Sequence, residues 1–179
     1  MKNNQALKVI IVLVLTIVIV TVAIIFANKK TDEEEKEYKY DTYSFTNINV
    51  KEALELFKTD EPKMLFLGRQ NCEGCSLQGP YITLSQVYND YPVYHLDIDT
   101  LDYEDPNVTT LANKLDYPYE MYDVEGPFGL FIGYTPMLII IKNGKQVYGN
   151  IGVLTDKEVT ELAKTYGVIE WKKESMVEQ

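Results

Sequence analysis

The stretch KMLFLGRQNCEGC, Lys63 to Cys75, constrains this chain more than any other. A short apolar strand candidate, Lys63 to Gly68, runs straight into the only two cysteines of the protein. The residues that follow, Leu77 to Tyr88, carry Leu77, Tyr81, Leu84, Val87 and Tyr88 at helical spacing. Pro80 lies inside that helix, where it lacks a donor and clashes with the preceding turn, so a kink or local break is expected. Cys72 and Cys75 therefore stand at a strand-to-helix junction. A zinc site needs four ligands, and two thiols with the single His95 supply three. A metal within one chain is thus disfavoured, and only a site shared between two chains stays open. A structural staple across two intervening residues closes a very short loop and constrains the unfolded chain little. Redox chemistry has more physical support. Near a helix N-terminus the orphan N–H groups and the macrodipole favour a thiolate at Cys72. A thiolate attacks a partner disulfide, and Cys75, one turn on, is placed to resolve the mixed disulfide.

Around this junction the pattern gives a mixed order of elements. Asn49-Val50-Lys51-Glu52 reads as a capping box opening a helix with Val50, Ala53, Leu54 and Phe57 on one face. Glu61-Pro62 ends it. Val93 to Ile98 alternates like a strand, and Asn107 to Leu115 reads as a helix before a Tyr/Pro/Gly-rich stretch to Gly133. Pro136 to Ile141 and Gln146 to Gly149 flank Asn143-Gly144, a strong hairpin signal. Thr155 caps a last helix, Asp156 to Tyr166, with Glu158 at its third position and Gly167 after it. A βαβ unit followed by a hairpin implies an α/β fold, a mixed sheet with helices on both faces.

Four features together resemble the thioredoxin-fold family, over about Asn47 to Tyr166. They are MLFLGRQNCEGC as strand and active-site turn; Pro80, eight residues after the first cysteine; Thr135-Pro136; and LIIIKNGKQVYGNIGVLTDKEV, which resembles the family's final hairpin, glycine and helix. The resemblance implies a thioredoxin-like α/β fold and a thiol–disulfide oxidoreductase. It also implies roles: Cys72 attacks, Cys75 resolves, Glu73 and Gly74 form the active-site turn, and Pro136 is cis beside the sulfurs. Thr135 would offer backbone to an extended substrate segment.

The departures from the family matter as much. Asn71 stands where thioredoxins usually carry tryptophan, and Glu73-Gly74 replaces Gly-Pro. An acidic neighbour raises a thiol's pKa, and Gly74 is expected to loosen the turn. Phe66 replaces the buried acid six residues before the first cysteine. The lysine that pairs with that acid matches His95, which is either a substitute proton acceptor for Cys75 or simply a packed strand histidine. An insertion, around 102–134, includes Tyr117 to Tyr134 and leads directly into Thr135-Pro136. Its tyrosines, Phe128 and Phe131 form either a substrate ledge, hinged at Gly126, Gly129 and Gly133, or an enlargement of the core.

The rest of the chain sets the location. Val9 to Ala27 is a run of 19 residues without charge, Pro or Gly. At about 1.5 Å per residue it spans about 28 Å, close to a hydrocarbon core of about 30 Å. It is longer than a signal-peptide core, and Ile25 spoils the cut after Ala27, so an uncleaved anchor is the better reading. The expected organisation is a short tail over 1–8, the anchor over 9–27, a charged tether over 28–45, the domain over 46–170 and a tail over 171–179. Lys2 and Lys8 against Lys29 and Lys30 leave the positive-inside balance nearly even. A lone N-terminal anchor in a bacterium usually leaves the domain outside the cytoplasm. A net charge of −10, with Arg69 as the only arginine, argues against a nucleic-acid partner. The expectation is a membrane-anchored, extracytoplasmic oxidoreductase working on protein dithiol or disulfide clients with a membrane redox partner, and needing no cofactor or metal. The rival is a thioredoxin-like accessory or binding protein, as in those found alongside bacteriocin production and export, with a specialised or vestigial pair.

Overall fold

Alternation along the central strands divides the apolar residues between two faces of one sheet. The computed structural model describes residues 44–169, together with Thr21. The expected anchor (Thr21 apart), nearly all of the tether and the tail after 170 lie outside the described residues. Among the described residues no helix is long and apolar enough to cross a membrane. The chain divides into two units, Met1–Glu37 and Tyr38–Gln179, and the strands and helices named below all belong to the second.

That unit begins with β1 (Thr46–Asn47) and α1 (Val50–Glu55), which tightens into a 3-10 turn at Leu56–Lys58. Then come β2 (Lys63–Gly68), α2 (Glu73–Asn89), β3 (Val93–Asp97) and α3 (Pro106–Lys114). A short ribbon, β4 (Pro118–Met121) and β5 (Val124–Pro127), leads through a 3-10 turn at Phe128–Phe131 to β6 (Met137–Lys142), β7 (Lys145–Ile151) and α4 (Asp156–Thr165). The main sheet has the order β1-β3-β2-β6-β7, with β1, β3 and β2 parallel and β6 antiparallel to both β2 and β7. α2 is the crossover between the parallel neighbours β2 and β3.

The two faces follow from the strand period. Leu65 and Leu67 of β2 join Met137, Ile139 and Ile141 of β6 in a core with Ala53, Leu111 and Phe128. Met64 and Phe66 join Leu138 and Ile140 in a second core with Cys75, Ile82, Val159 and Ala163. Both faces are covered, which is why β2 and β6 read as unbroken apolar runs. Local signals held where they were purely local. Asn49 and Glu52, and again Thr155 and Glu158, form reciprocal capping boxes. Asn143 and Gly144, at φ 52° and 72°, make the two-residue turn between β6 and β7.

The helix after the cysteines opens at Glu73, as the strand-to-helix junction implies, and it does not break at Pro80 but continues as a single helix to Asn89. Packing on both sides of the proline holds it, since Gln78, Gly79 and Ile82 are all buried. Its apolar stripe also does not face the core: Leu77, Leu84, Val87 and Tyr88 are exposed. The buried face is Cys75, Gln78, Gly79, Ile82, Ser85 and Gln86. Its polar groups are matched at long range. The Gln78 amide donates to the Leu154 carbonyl at 3.1 Å and accepts the Leu154 N–H at 2.6 Å. The Ser85 hydroxyl meets the Tyr91 hydroxyl at 2.6 Å and the Thr160 hydroxyl at 2.8 Å. Burial pushes the Tyr91 phenol up to about 12 against the opposing pull of Ser85.

The inserted segment is more ordered than its composition suggests. β4 and β5 pair in a two-residue hairpin whose turn, Tyr122-Asp123, has positive φ at both positions, 53° and 60°. Phe128 and Phe131 are buried in the first core. Gly129 is a packing glycine rather than a hinge: a Cβ there would lie 1.9 Å from the Ala112 carbonyl oxygen of α3.

Candidate active site

β2 delivers the chain to the sheet's C-terminal edge, and the residues after it must turn sharply into α2. Asn71 makes that turn in the left-handed region, at φ 55°. Asparagine tolerates this conformation better than most residues, which gives a physical reason for its place before the first cysteine. Cys72 is then the N-cap of α2, with extended backbone at φ −115° and ψ 111°. Its sulfur accepts the Cys75 N–H at 3.1 Å, so it sits among the unpaired donors at the helix start.

Cys72 and Cys75 are joined in a disulfide with their Cα atoms 5.2 Å apart. The two sulfurs have different surroundings. Cys75 is fully buried and belongs to the second core, whereas Cys72 is only partly buried. An open groove of about 450 Å³ runs past Cys72, lined by Arg69, Glu73, Gly74, Tyr134 and Thr135. An incoming sulfur has access to Cys72, and Cys75 stays behind it.

The loop before β6 closes the other side. The Thr135–Pro136 bond is cis, and the Thr135 hydroxyl donates to the Cys72 sulfur at 3.3 Å. Gly74 sits against this loop. A Cβ on Gly74 would lie 2.7 Å from Pro136 Cδ and 3.7 Å from Val153 Cγ2. Its role is close approach of the turn to the proline ring rather than looseness. The structure thus brings Cys72, Cys75, Glu73, Gly74, Thr135 and Pro136 together.

His95 is placed differently. It lies on β3 opposite Phe66 of β2 and Asn47 of β1. The ring is buried, its Nδ1 is 2.7 Å from Asn47 Oδ1, and its face packs at 5.6 Å from Phe66 and 6.0 Å from Phe45. Burial holds its pKa below the usual histidine range, with the Asp97 charge acting in the other direction. The neutral imidazole is therefore favoured. Sequence reasoning missed Arg69 at this site, whereas Tyr134 belongs to the aromatic segment expected to form either a substrate ledge or core. Arg69 directly follows β2 and stands three residues before Cys72, a spacing that brings it within reach of the groove. No group of three or more His, Cys, Asp or Glu is placed to hold a metal among the described residues.

No protein-family model matches the chain, and no curated protein matches it. Solved structures similar to it include one concerned with the thiol-resolving mechanism of yeast mitochondrial 1-Cys peroxiredoxin. That chain is 19% identical, with 72% of this chain and 98% of that one covered and a TM-score of 0.46. Mitochondrial thioredoxin 3 from Saccharomyces cerevisiae, in its oxidized form, is 21% identical over 69% of this chain and 94% of its own, with a TM-score of 0.44. A mutant thioredoxin from Halobacterium salinarum is 15% identical over 68% and 90%, with a TM-score of 0.47. The sheet order, the crossover helix begun by the disulfide and the cis-proline loop facing it make the fold α/β and thioredoxin-like, with a mixed central sheet.

Proposed function

We propose that this chain is a membrane-anchored thiol–disulfide oxidoreductase acting on protein cysteines outside the cytoplasm through Cys72 and Cys75. One observation carries the redox part: a disulfide caps a helix N-terminus with one sulfur open to a groove and the other buried behind it. In the reducing direction the Cys72 thiolate attacks a client disulfide. A Cys72–client S–S bond forms, the client S–S bond breaks, and one client thiolate leaves. The Cys75 thiolate then attacks the Cys72 sulfur, re-forming the internal disulfide and expelling the second client thiolate. The client has gained two electrons and the Cys72–Cys75 pair has lost two. Each step runs backwards when the client is a dithiol to be oxidised.

The residues around the pair have distinct tasks in this scheme. The N–H groups at the start of α2 favour charge on the Cys72 sulfur, Arg69 adds a positive charge to the residues lining the groove, and Glu73 opposes both. The Thr135 hydroxyl, already directed at that sulfur, donates to the thiolate. Since Phe66 stands where a carboxylate would take the Cys75 proton, the neutral His95 imidazole beside it is our candidate acceptor. Electrons reach or leave the pair through a membrane redox partner, and the apolar run over 9–27 holds the domain near it.

The test uses the full chain with insulin as the disulfide substrate. Cys72→Ser is expected to abolish reduction, and Cys75→Ser to accumulate a mixed disulfide that mass spectrometry places on Cys72. Accumulation in the Cys72→Ser variant, with Cys75 as the attacking sulfur, would overturn the assignment.

A further inference from the structure

The exchange site as read above does not say which polypeptides it serves; the inference drawn here rests on that reading and names them by their chemistry. The β4–β5 ribbon is tied to the main sheet through Tyr119 and meets a residue of the disulfide groove, Tyr134, through Tyr122. The Tyr119 hydroxyl accepts the Ile151 N–H of β7 at 3.2 Å, and its ring stands edge-on to Phe128 at 5.0 Å. At the ribbon's tip Tyr122, which is 80% exposed, comes within 6.4 Å of Tyr134. Tyr134, itself exposed, lines the groove beside Cys72. Two aromatic rings thus lead from the sulfur to the ribbon without burying themselves in the core. Exposed aromatic side chains beside a reactive group are contact area for a partner.

Charge says which kind of partner. The segment 102–134 holds seven acidic residues against Lys114 alone, more than half of the chain's net charge of −10. On the ribbon a cavity of about 620 Å³ is lined by Asp116, Glu120 and Glu125 together with Tyr119, Pro118 and Pro127, and by no basic residue. None of the ion pairs among the described residues involves these carboxylates. A ring of carboxylates over a tyrosine and two prolines suits a lysine or arginine side chain, whose stem packs on apolar surface while its head meets the charge. The same field repels an acidic partner.

We infer that the β4–β5 ribbon, with Tyr122 and Tyr134, is a docking surface for a cationic polypeptide client. Its lysines or arginines meet Asp116, Glu120 and Glu125 while its cysteine reaches Cys72. β4 extends over four residues, roughly 13 Å at about 3.3 Å per residue, the length of about four residues of an extended client.

Synthetic peptides with one disulfide, flanked by lysines in one and by glutamates in the other, test this on the full chain. The lysine peptide is expected to exchange about 10-fold faster at low ionic strength, and the preference to shrink as salt shortens the Debye length. Asp116→Asn, Glu120→Gln and Glu125→Gln together are expected to remove most of the preference, whereas neutralising Glu55, Asp60 and Glu161 keeps it. Equal rates for the two peptides, or a preference that survives the ribbon substitutions, would overturn the inference. Binding of the same peptides with serine for cysteine, read by fluorescence anisotropy, separates docking from chemistry. Preferential binding of the lysine form without exchange of any disulfide contradicts the redox reading alone, and equal binding of both forms contradicts the docking surface.

Discussion

Gly74 touches Pro136 so closely that a single methyl group decides whether the active-site turn and the cis-proline loop can meet. The proline ring is tied to the backbone and has little room to give, so Gly74→Ala is expected to push the loop from the disulfide. The cost should be about 1–3 kcal/mol, typical of overpacking, with a parallel loss of exchange rate. Urea unfolding with an insulin assay on the same variant measures both. His95 has a different signature. The unfolded chain takes up a proton near pH 6.5, while the folded imidazole, held lower by burial, does so only in more acid solution. Stability is therefore present above that window and falls as the pH drops through it. The urea midpoint should fall between about pH 7.5 and about pH 5.5, and fall less in His95→Phe. These residue-level reasons were only partly legible in the sequence. The cysteines, the proline of the loop and the histidine could be named from spacing, but that Asn71 is left-handed and Gly74 is a contact depends on atoms distant in sequence.

Local elements were the most readable part of the fold, because both partners of a cap or a tight turn lie within a few residues. Asn49→Ala removes the oxygen that accepts the Lys51 and Glu52 N–H groups, and should cost about 1 kcal/mol. α2 shows the opposite case. Its sequence has an apolar stripe, yet the stripe faces out, because the inward polar residues find partners such as Leu154 and Thr160 more than 70 residues away. Periodicity cannot see such partners. Ile82→Ala should therefore cost about 2–5 kcal/mol, while Val87→Ser on the stripe should stay within about 0.5 kcal/mol, as thermal or urea unfolding will show. The β4–β5 ribbon was illegible for a related reason. Proline, glycine and charge fill its strands, and Tyr122-Asp123 adopts a turn conformation that sequence patterns assign to asparagine and glycine.

At the scale of the whole molecule, a charged, thioredoxin-like domain follows an apolar run that, Thr21 apart, lies outside the described residues. An anchored, extracytoplasmic domain should sediment with membranes, and after mild reduction its thiols should be labelled by an impermeant maleimide on intact bacterial cells. Labelling only after lysis would place the domain on the other side. The central claim, that Cys72–Cys75 is an exchange pair rather than a staple, is tested most directly by its reduction potential, measured on the full chain in glutathione and dithiothreitol buffers. Exchange-active pairs fall between about −270 and −120 mV, and this pair is expected there, the lower end marking a reductase and the upper end a disulfide donor. A value below about −300 mV, in the range of structural disulfides, would contradict the account.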